Sequence, residues 1–123
     1  MTTVKGINLF TITTFYIRSQ CFRTIRTKHG INYQCITVLL ACYLYTISKG
    51  VNEFNITPVY KFTSYYAYPL FNRYMSKLLD SNLINLSGRK YSITELGYSA
   101  IQEISDNNNN VLYSFCNKYN IEL

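Results

Sequence analysis

Apolar residues recur at spacings of three and four along most of the chain, and the pattern divides it into six helical stretches and one short hairpin. Phe10, Thr14, Ile17, Cys21 and Ile25 form a stripe across Ile7–Lys28, which predicts a first helix. Its β-branched content also suits a strand between Ile7 and Ile17. Gly30 ends this element, with Lys28 and His29 near the negative end of its dipole. Asn32 suits the N-cap of a second helix running to Ser48. That helix is apolar nearly all round, so it belongs at the centre of the core, and Gly50 stops it.

Thr57 and Pro58 open a short third helix to about Thr63, with Thr57 as cap and Pro58 in the first helical position. Val59 and Phe62 face inward. The fourth helix, Pro69–Ser81, carries Phe71, Met75, Leu78 and Leu79 on one face and Asn72, Arg73, Ser76, Lys77 and Asp80 on the other. Asn82 follows where a helix favours Gly or Asn in the left-handed conformation. Leu83–Leu86 and Tyr91–Ile93, joined by Ser87-Gly88-Arg89-Lys90, read as a hairpin. Thr94 caps a fifth helix to about Ser105, with Glu95 in its first turn. Asp106–Asn110 reads as a loop and Val111–Tyr119 as a last helix.

Composition narrows the class. The chain has 123 residues, the size of one domain, with 48% hydrophobic and 15% charged residues, so a globular fold with one core is expected over residues 1–123. Tyr, Asn and Ile are abundant and their codons are AT-rich, so the thirteen tyrosines are weak evidence for a tyrosine-lined site. The net charge is +6. Eleven of the twelve basic residues lie between Met1 and Thr94, against only Glu53 and Asp80, and four of the six acids follow Thr94. A basic body of this kind suits a polyanion partner; a solvated basic surface without a partner fits equally well. Cys21, Cys35, Cys42 and Cys116 form no CxxC pair and no zinc-type cluster. On one helix Cys35 and Cys42 would lie roughly 10 Å apart, too far for a disulfide, and reduced buried thiols are the expected state, with peroxide sensing as the alternative. No targeting segment is evident, and the most apolar run, Cys35–Ile47, is too short to cross a bilayer. No membrane association is therefore expected.

The stretch Pro69–Gly97, about a quarter of the chain, resembles the core of MarR-family winged-helix regulators. In that family a leucine-bounded recognition helix ends in polar residues, a glycine and Leu-Ile; here the sequence is Leu78-Leu79-Asp80-Ser81-Asn82-Leu83-Ile84, with Asn82 for the glycine. The family's Tyr-x-Leu-Thr-x-x-Gly return of the wing is matched by Tyr91-Ser92-Ile93-Thr94-Glu95-Leu96-Gly97. The departures are a shorter wing, a third helix without the usual Leu-Ala pair, and Tyr65, Tyr66 and Tyr68 at an expected small polar turn. The resemblance implies a mainly α fold with a small β-hairpin wing, a winged helix-turn-helix with its DNA-binding core in residues 57–105. It also implies homodimerisation through segments 7–28 and 111–123, and a small aromatic effector in a cleft near the dimer interface.

In a helix-turn-helix the exposed face of the second helix enters the major groove. Arg73 matches the family's basic position there, accompanied by Asn72, Ser76 and Lys77. Arg and Asn can each read a base edge with two hydrogen bonds, and Lys77 suits a phosphate. Arg89 and Lys90 at the wing tip suit a phosphate or the minor groove. Arg18, Arg23, Arg26 and Lys28 either extend the footprint or line a solvent face, and Glu95 and Glu103 are expected to decorate a helix surface. With one histidine, no telling carboxylate pair and no Gly-rich phosphate loop, neither catalysis nor a metal or cofactor is expected. Two functions fit: a MarR-like regulator of transcription, dimeric, cytoplasmic and nucleoid-associated, binding a double-stranded operator; or a winged helix of a phage or mobile-element system that contacts proteins and has no DNA binding.

Overall fold

The fold is taken from a computed structural model, which describes residues 20–63, 67–107 and 117–118. It is mainly helical with one two-stranded antiparallel sheet. In chain order the elements are α1 (Gln20–His29), α2 (Tyr33–Lys49), α3 (Ile56–Thr63), α4 (Tyr68–Asp80), β1 (Ile84–Ser87), β2 (Lys90–Ile93) and α5 (Glu95–Asn107). The expected first helix is therefore seen only in its second half, and Ile7–Ser19 lies outside the described residues. Of the expected last helix only Asn117 and Lys118 are described; both are helical and exposed.

The centre is α2, as its apolar circumference requires. Asn32 caps it by accepting a 2.9 Å hydrogen bond from the Cys35 amide. Every residue from Cys35 to Cys42 is buried, including Thr37, whose hydroxyl donates to the Tyr33 carbonyl at 2.8 Å. The helix ends on Gly50 in the left-handed conformation. α4 packs along α2, with Phe71, Met75 and Leu78 fully buried, and the Cys42 thiol meets the Met75 sulfur at 3.8 Å. α1 brings Ile25, α3 brings Val59 and Phe62, and α5 brings Ala100 and Ile101 to the same core. No single helix among the described residues is long and apolar enough to cross a membrane; α2, the most apolar, has 17 residues, and the chain bends by 100° between α1 and α2.

Several ends differ from the sequence reading. α3 begins at Ile56, one residue before the expected cap Thr57, which leaves Pro58 in the third helical position. That position is harmless, because the first turn's N–H groups have no intrahelical acceptor. α4 starts at Tyr68 and ends at Asp80, one residue early at each end, with Pro69 still in its first turn. Asp106 and Asn107, expected in a loop, continue α5; polar residues extend an already nucleated helix at little cost.

The hairpin pairs Ile84 with Ile93 and Ser87 with Lys90, leaving Gly88-Arg89 as a two-residue turn. Gly88 has φ +64°, while Arg89 keeps a negative φ, the pattern of a turn with glycine in its first central position. A third, one-residue strand lies beside β2. Phe54, between α2 and α3, donates to the Tyr91 carbonyl at 3.0 Å and accepts from the Tyr91 amide at 2.8 Å. The sheet edge is therefore built from a segment that had no assignment in the pattern reading, although Phe54 and Ile56 hint at a two-residue period.

α4 turns into the hairpin through a tight cap. The Leu83 amide reaches the Leu78 carbonyl at 3.0 Å, the Asn82 amide reaches that of Leu79 at 3.0 Å, and Asn82 sits at φ +61°. This is a Schellman closure, sealed by the two buried leucines. The Thr94 hydroxyl then donates to the Asn82 carbonyl at 2.6 Å and accepts from the Gly97 amide at 3.0 Å, which caps α5. Gly97 is packed so closely that a Cβ would overlap the Leu83 carbonyl oxygen and lie 2.8 Å from Ile93 Cγ2. Gly97→Ala is expected to destabilise the protein by about 3 kcal/mol through overpacking against backbone, and Thr94→Ala by about 1 kcal/mol through loss of the cap. Chemical denaturation of both variants checks the pair. A Gly97→Ala protein as stable as the parent would mean that α5 does not approach Leu83 in this way.

Candidate nucleic-acid interface

The amphipathic pattern of α4 decides which side chains can meet a partner. With Phe71, Met75 and Leu78 turned into the core, Asn72, Arg73, Ser76 and Lys77 are all exposed. Their spacing stacks Asn72 on Ser76 and Arg73 on Lys77, one helical turn apart. The Ser76 hydroxyl donates to the Asn72 carbonyl at 3.1 Å, so its proton is held by the helix and its oxygen remains an acceptor. Tyr74 and Leu79 border this face half-buried and pack on the core. Arg89 and Lys90 are exposed at the hairpin tip. The Schellman closure and the Thr94 hydroxyl couple the hairpin directly to the end of α4, so the two groups of candidate residues ride on one connected unit.

The hairpin is also held from behind by rings. Tyr91 stacks on Phe54 with centroids 6.2 Å apart and planes 17° from parallel. Phe54 meets Tyr45 edge-on at 6.3 Å, and Tyr45 meets Phe62 at 5.5 Å. This row runs from the hairpin to α2 and α3, with geometry that favours each contact. Tyr60 likewise bridges Phe71 at 5.6 Å and Tyr68 at 5.0 Å. Tyr45, Tyr60 and Tyr91 thus serve as half-buried spacers between elements. Burial pushes the Tyr91 hydroxyl above its ordinary pKa, with Tyr68 and Cys42 nearby adding to the effect.

Not every cation is available. Lys28 forms a 3.0 Å ion pair with Glu103 Oε1, joining α1 to α5. Glu103 is therefore a tertiary contact, contrary to the expectation of a surface ornament, and its second oxygen is buried without a hydrogen-bond partner. Arg26 lies over the Tyr33 ring at 5.0 Å. Of the first-helix cations, Arg23 is exposed and Arg18 falls outside the described residues. Burial, with Lys28 beside it, holds the His29 imidazole below its ordinary pKa, and Glu103 partly opposes this.

A groove of about 430 Å³ opens between the start of α3 and the hairpin tip, with Tyr91 in its wall and Arg89 at its rim. Among the described residues no group of three or more His, Cys, Asp and Glu could hold a metal ion.

Cys35 and Cys42 are buried free thiols. Burial pushes both upward in pKa. For Cys35 the hydrogen bond with Asn32 and the charge of Lys77 work the other way. The sequence offered no neighbouring cation for either thiol; Lys77 is brought to Cys35 only by the packing of α4 on α2. Compared with family models, with curated proteins and with solved structures, the chain finds no match in any of the three.

Both thiols are expected to resist a water-soluble alkylating reagent until the protein unfolds, as peptide mapping by mass spectrometry would reveal; rapid labelling of either in the folded state would overturn the burial argument. Because folding raises their pKa, the contribution of the neutral thiols is complete below the unfolded value of 9.0. Above it the unfolded chain releases protons that the folded one keeps. Stability should therefore fall as pH rises past about 9.

Proposed function

We propose that this chain is a winged-helix protein that binds double-stranded DNA, laying the exposed face of α4 in the major groove and the β1–β2 hairpin beside it. The observation that carries the reading is the order α2, Phe54 edge strand, α3, α4, β1, β2, with exposed cations on both α4 and the hairpin tip. A short strand between the first two helices of such a unit, paired with the last strand of the hairpin, is the arrangement a wing needs in order to be anchored. The MarR-like residues support the same reading. Thr94 and Gly97, which carry the resemblance, and Asn82, which stands for the family's glycine, are the residues that close α4, the hairpin and α5 on one another. In this reading Arg73 and Asn72 read base edges, Ser76 and Lys77 assist, and Arg89 and Lys90 take phosphates or the minor groove. A role in transcriptional regulation, in the compartment that holds the DNA, follows from the same resemblance.

The two groups separate by experiment. Removing both Arg89 and Lys90 should weaken binding to all duplexes alike and reduce the slope of log affinity against log salt by roughly one to two. Arg73→Ala should cost about 1–3 kcal/mol on a preferred site and much less on random DNA. Fluorescence anisotropy at several salt concentrations, on a selected and a random duplex, measures both. If neither change alters affinity, the protein-contact reading, a winged helix without DNA binding, replaces this one.

The proposal includes a homodimer, formed by Ile7–Ile25 and Val111–Leu123, of which only residues 20–25 and 117–118 are among those described. Its motive is the apolar character of Val111, Leu112, Phe115, Tyr119, Ile121 and Leu123, which calls for docking. Sedimentation at micromolar concentration should show a dimer; a clean monomer would remove both the dimer and a palindromic operator.

A further inference from the structure

We infer that Tyr68 is a further base-reading residue, its ring packing on the C5 methyl group of a thymine in the major groove, close to the base pair that Asn72 meets. This deepens the DNA-binding reading and rests on it. Tyr68 is the first residue of α4, just ahead of the stretch that resembles MarR regulators, at a place where the resemblance leads one to expect a small polar turn. Tyr68, Asn72 and Ser76 follow one another at four-residue intervals, so they form one row along the exposed side of the helix. Among the described residues the large hydrophobic side chains left exposed are Val51, Tyr68, Leu86, Leu96 and Tyr98, and of these Tyr68 is the one that α4 carries. It is 38% exposed. Side chains of a helix lean toward its N-terminus, so this ring extends the reading face beyond the turn that holds Asn72 and Arg73.

The ring is held in place by the protein itself. It meets the Tyr60 ring edge-on, with centroids 5.0 Å apart and planes at 89°. Tyr60 in turn meets Phe71, which is fully buried, at 5.6 Å. Tyr68 is thereby tied through α3 to the core, and a tyrosine fixed in this way gives up little freedom on contact. What its exposed surface can meet follows from the bases. In the major groove thymine presents a methyl group, whereas adenine, guanine and cytosine are told apart by hydrogen-bond donors and acceptors. A recognition helix meets the base edges with its N-terminal residues, which here are Tyr68, Asn72 and Arg73. Four residues of helix advance about 6 Å, and base pairs follow one another about every 3.4 Å. The thymine therefore lies within about two base pairs of the one that Asn72 reads. A phosphate would engage the Tyr68 hydroxyl and leave the ring face bare; a methyl group covers the ring. Asp80, the one acid of α4, lies at the opposite end of the helix and does not repel DNA from this one.

The test starts from a duplex that the full chain selects from a random library, with affinity read by fluorescence anisotropy. Each thymine is then replaced singly by deoxyuridine, which removes the methyl group and leaves every hydrogen-bonding group in place. The expected result is a position at which the parent loses affinity about fourfold, the effect of exposing one methyl group to water. Tyr68→Ala should be indifferent to the replacement at that position, and Tyr68→Phe, which keeps the ring, should respond as the parent does. Thermal unfolding shows whether the variants fold; should Tyr68→Ala not fold, Tyr68→Gln takes its place with the same expected indifference. No loss at any thymine would overturn the contact. So would an undiminished loss in a folded Tyr68→Ala or Tyr68→Gln protein. Loss of the response in Tyr68→Phe would also overturn it, and would assign Tyr68 a phosphate bond through its hydroxyl. In these cases a selected duplex that still discriminates against Arg73→Ala leaves the DNA-binding reading standing without the thymine contact. Failure to select any duplex would overturn both.

Discussion

The burial of α2 on nearly every side is the constraint from which the rest of the molecule follows. A helix with eight consecutive buried residues, Cys35–Cys42, can exist only inside a shell of other elements. An exposed face of Leu39, Leu40 and Leu44 would forfeit about 1.5–3 kcal/mol per side chain. α1, α3 and α4 each lay an apolar stripe against it, while α5 closes over α1. Each of these elements needs only one apolar face for that task, which leaves its other face free for polar residues. The exposed cationic face of α4 is thus a by-product of the way Phe71, Met75 and Leu78 must turn toward α2.

A second constraint converts this helical cluster into one with a projecting hairpin. Three backbone segments meet where Asn82, Leu83, Thr94 and Gly97 come together. The Thr94 hydroxyl joins the Asn82 carbonyl to the part-buried Gly97 amide, and the missing side chain at Gly97 makes room for the Leu83 carbonyl. Each residue answers a demand of the backbone: a left-handed position after α4, a helix cap that can also donate backward, and a helix position without a Cβ. The hairpin cannot tilt without breaking this junction or the Phe54–Tyr91 pair on its other side. A rigid hairpin presents Arg89 in a defined place, which the proposed phosphate contact requires.

Charge is sorted by the same packing. Lys28 is drawn into a contact with Glu103 and Arg26 onto the ring of Tyr33, so two exposed cations of α1 have partners within the protein. Those of α4 and the hairpin tip remain exposed. Arg73, Lys77, Arg89 and Lys90 are thus carried on one connected unit, while Arg23, Lys49 and Lys61 are exposed elsewhere on the surface.

How much of this was legible beforehand depends on the range of the interaction. The helices, the hairpin and their caps are written locally. Asn32 before an apolar run, Asn82 after a leucine pair, Gly88 in a two-residue turn and Thr94 three residues before Gly97 act through backbone groups a few positions away, and the sequence by itself determined them. So did the exposure of Asn72, Arg73, Ser76, Lys77, Arg89 and Lys90, because a 3.6-residue period or a hairpin tip leaves no other choice. Helix ends slipped by one or two residues at α3, α4 and α5, since a single turn's hydrogen bonds balance nearly evenly against water. Only the tertiary structure decided that Phe54 pairs with Tyr91, that Glu103 reaches Lys28 across 75 positions, that Lys77 lies close enough to influence Cys35, and that Asn55, Thr57 and Arg89 share a groove. These contacts join residues distant in sequence. Their partners are chosen by how the faces of the helices pack around α2, and no local spacing records that choice.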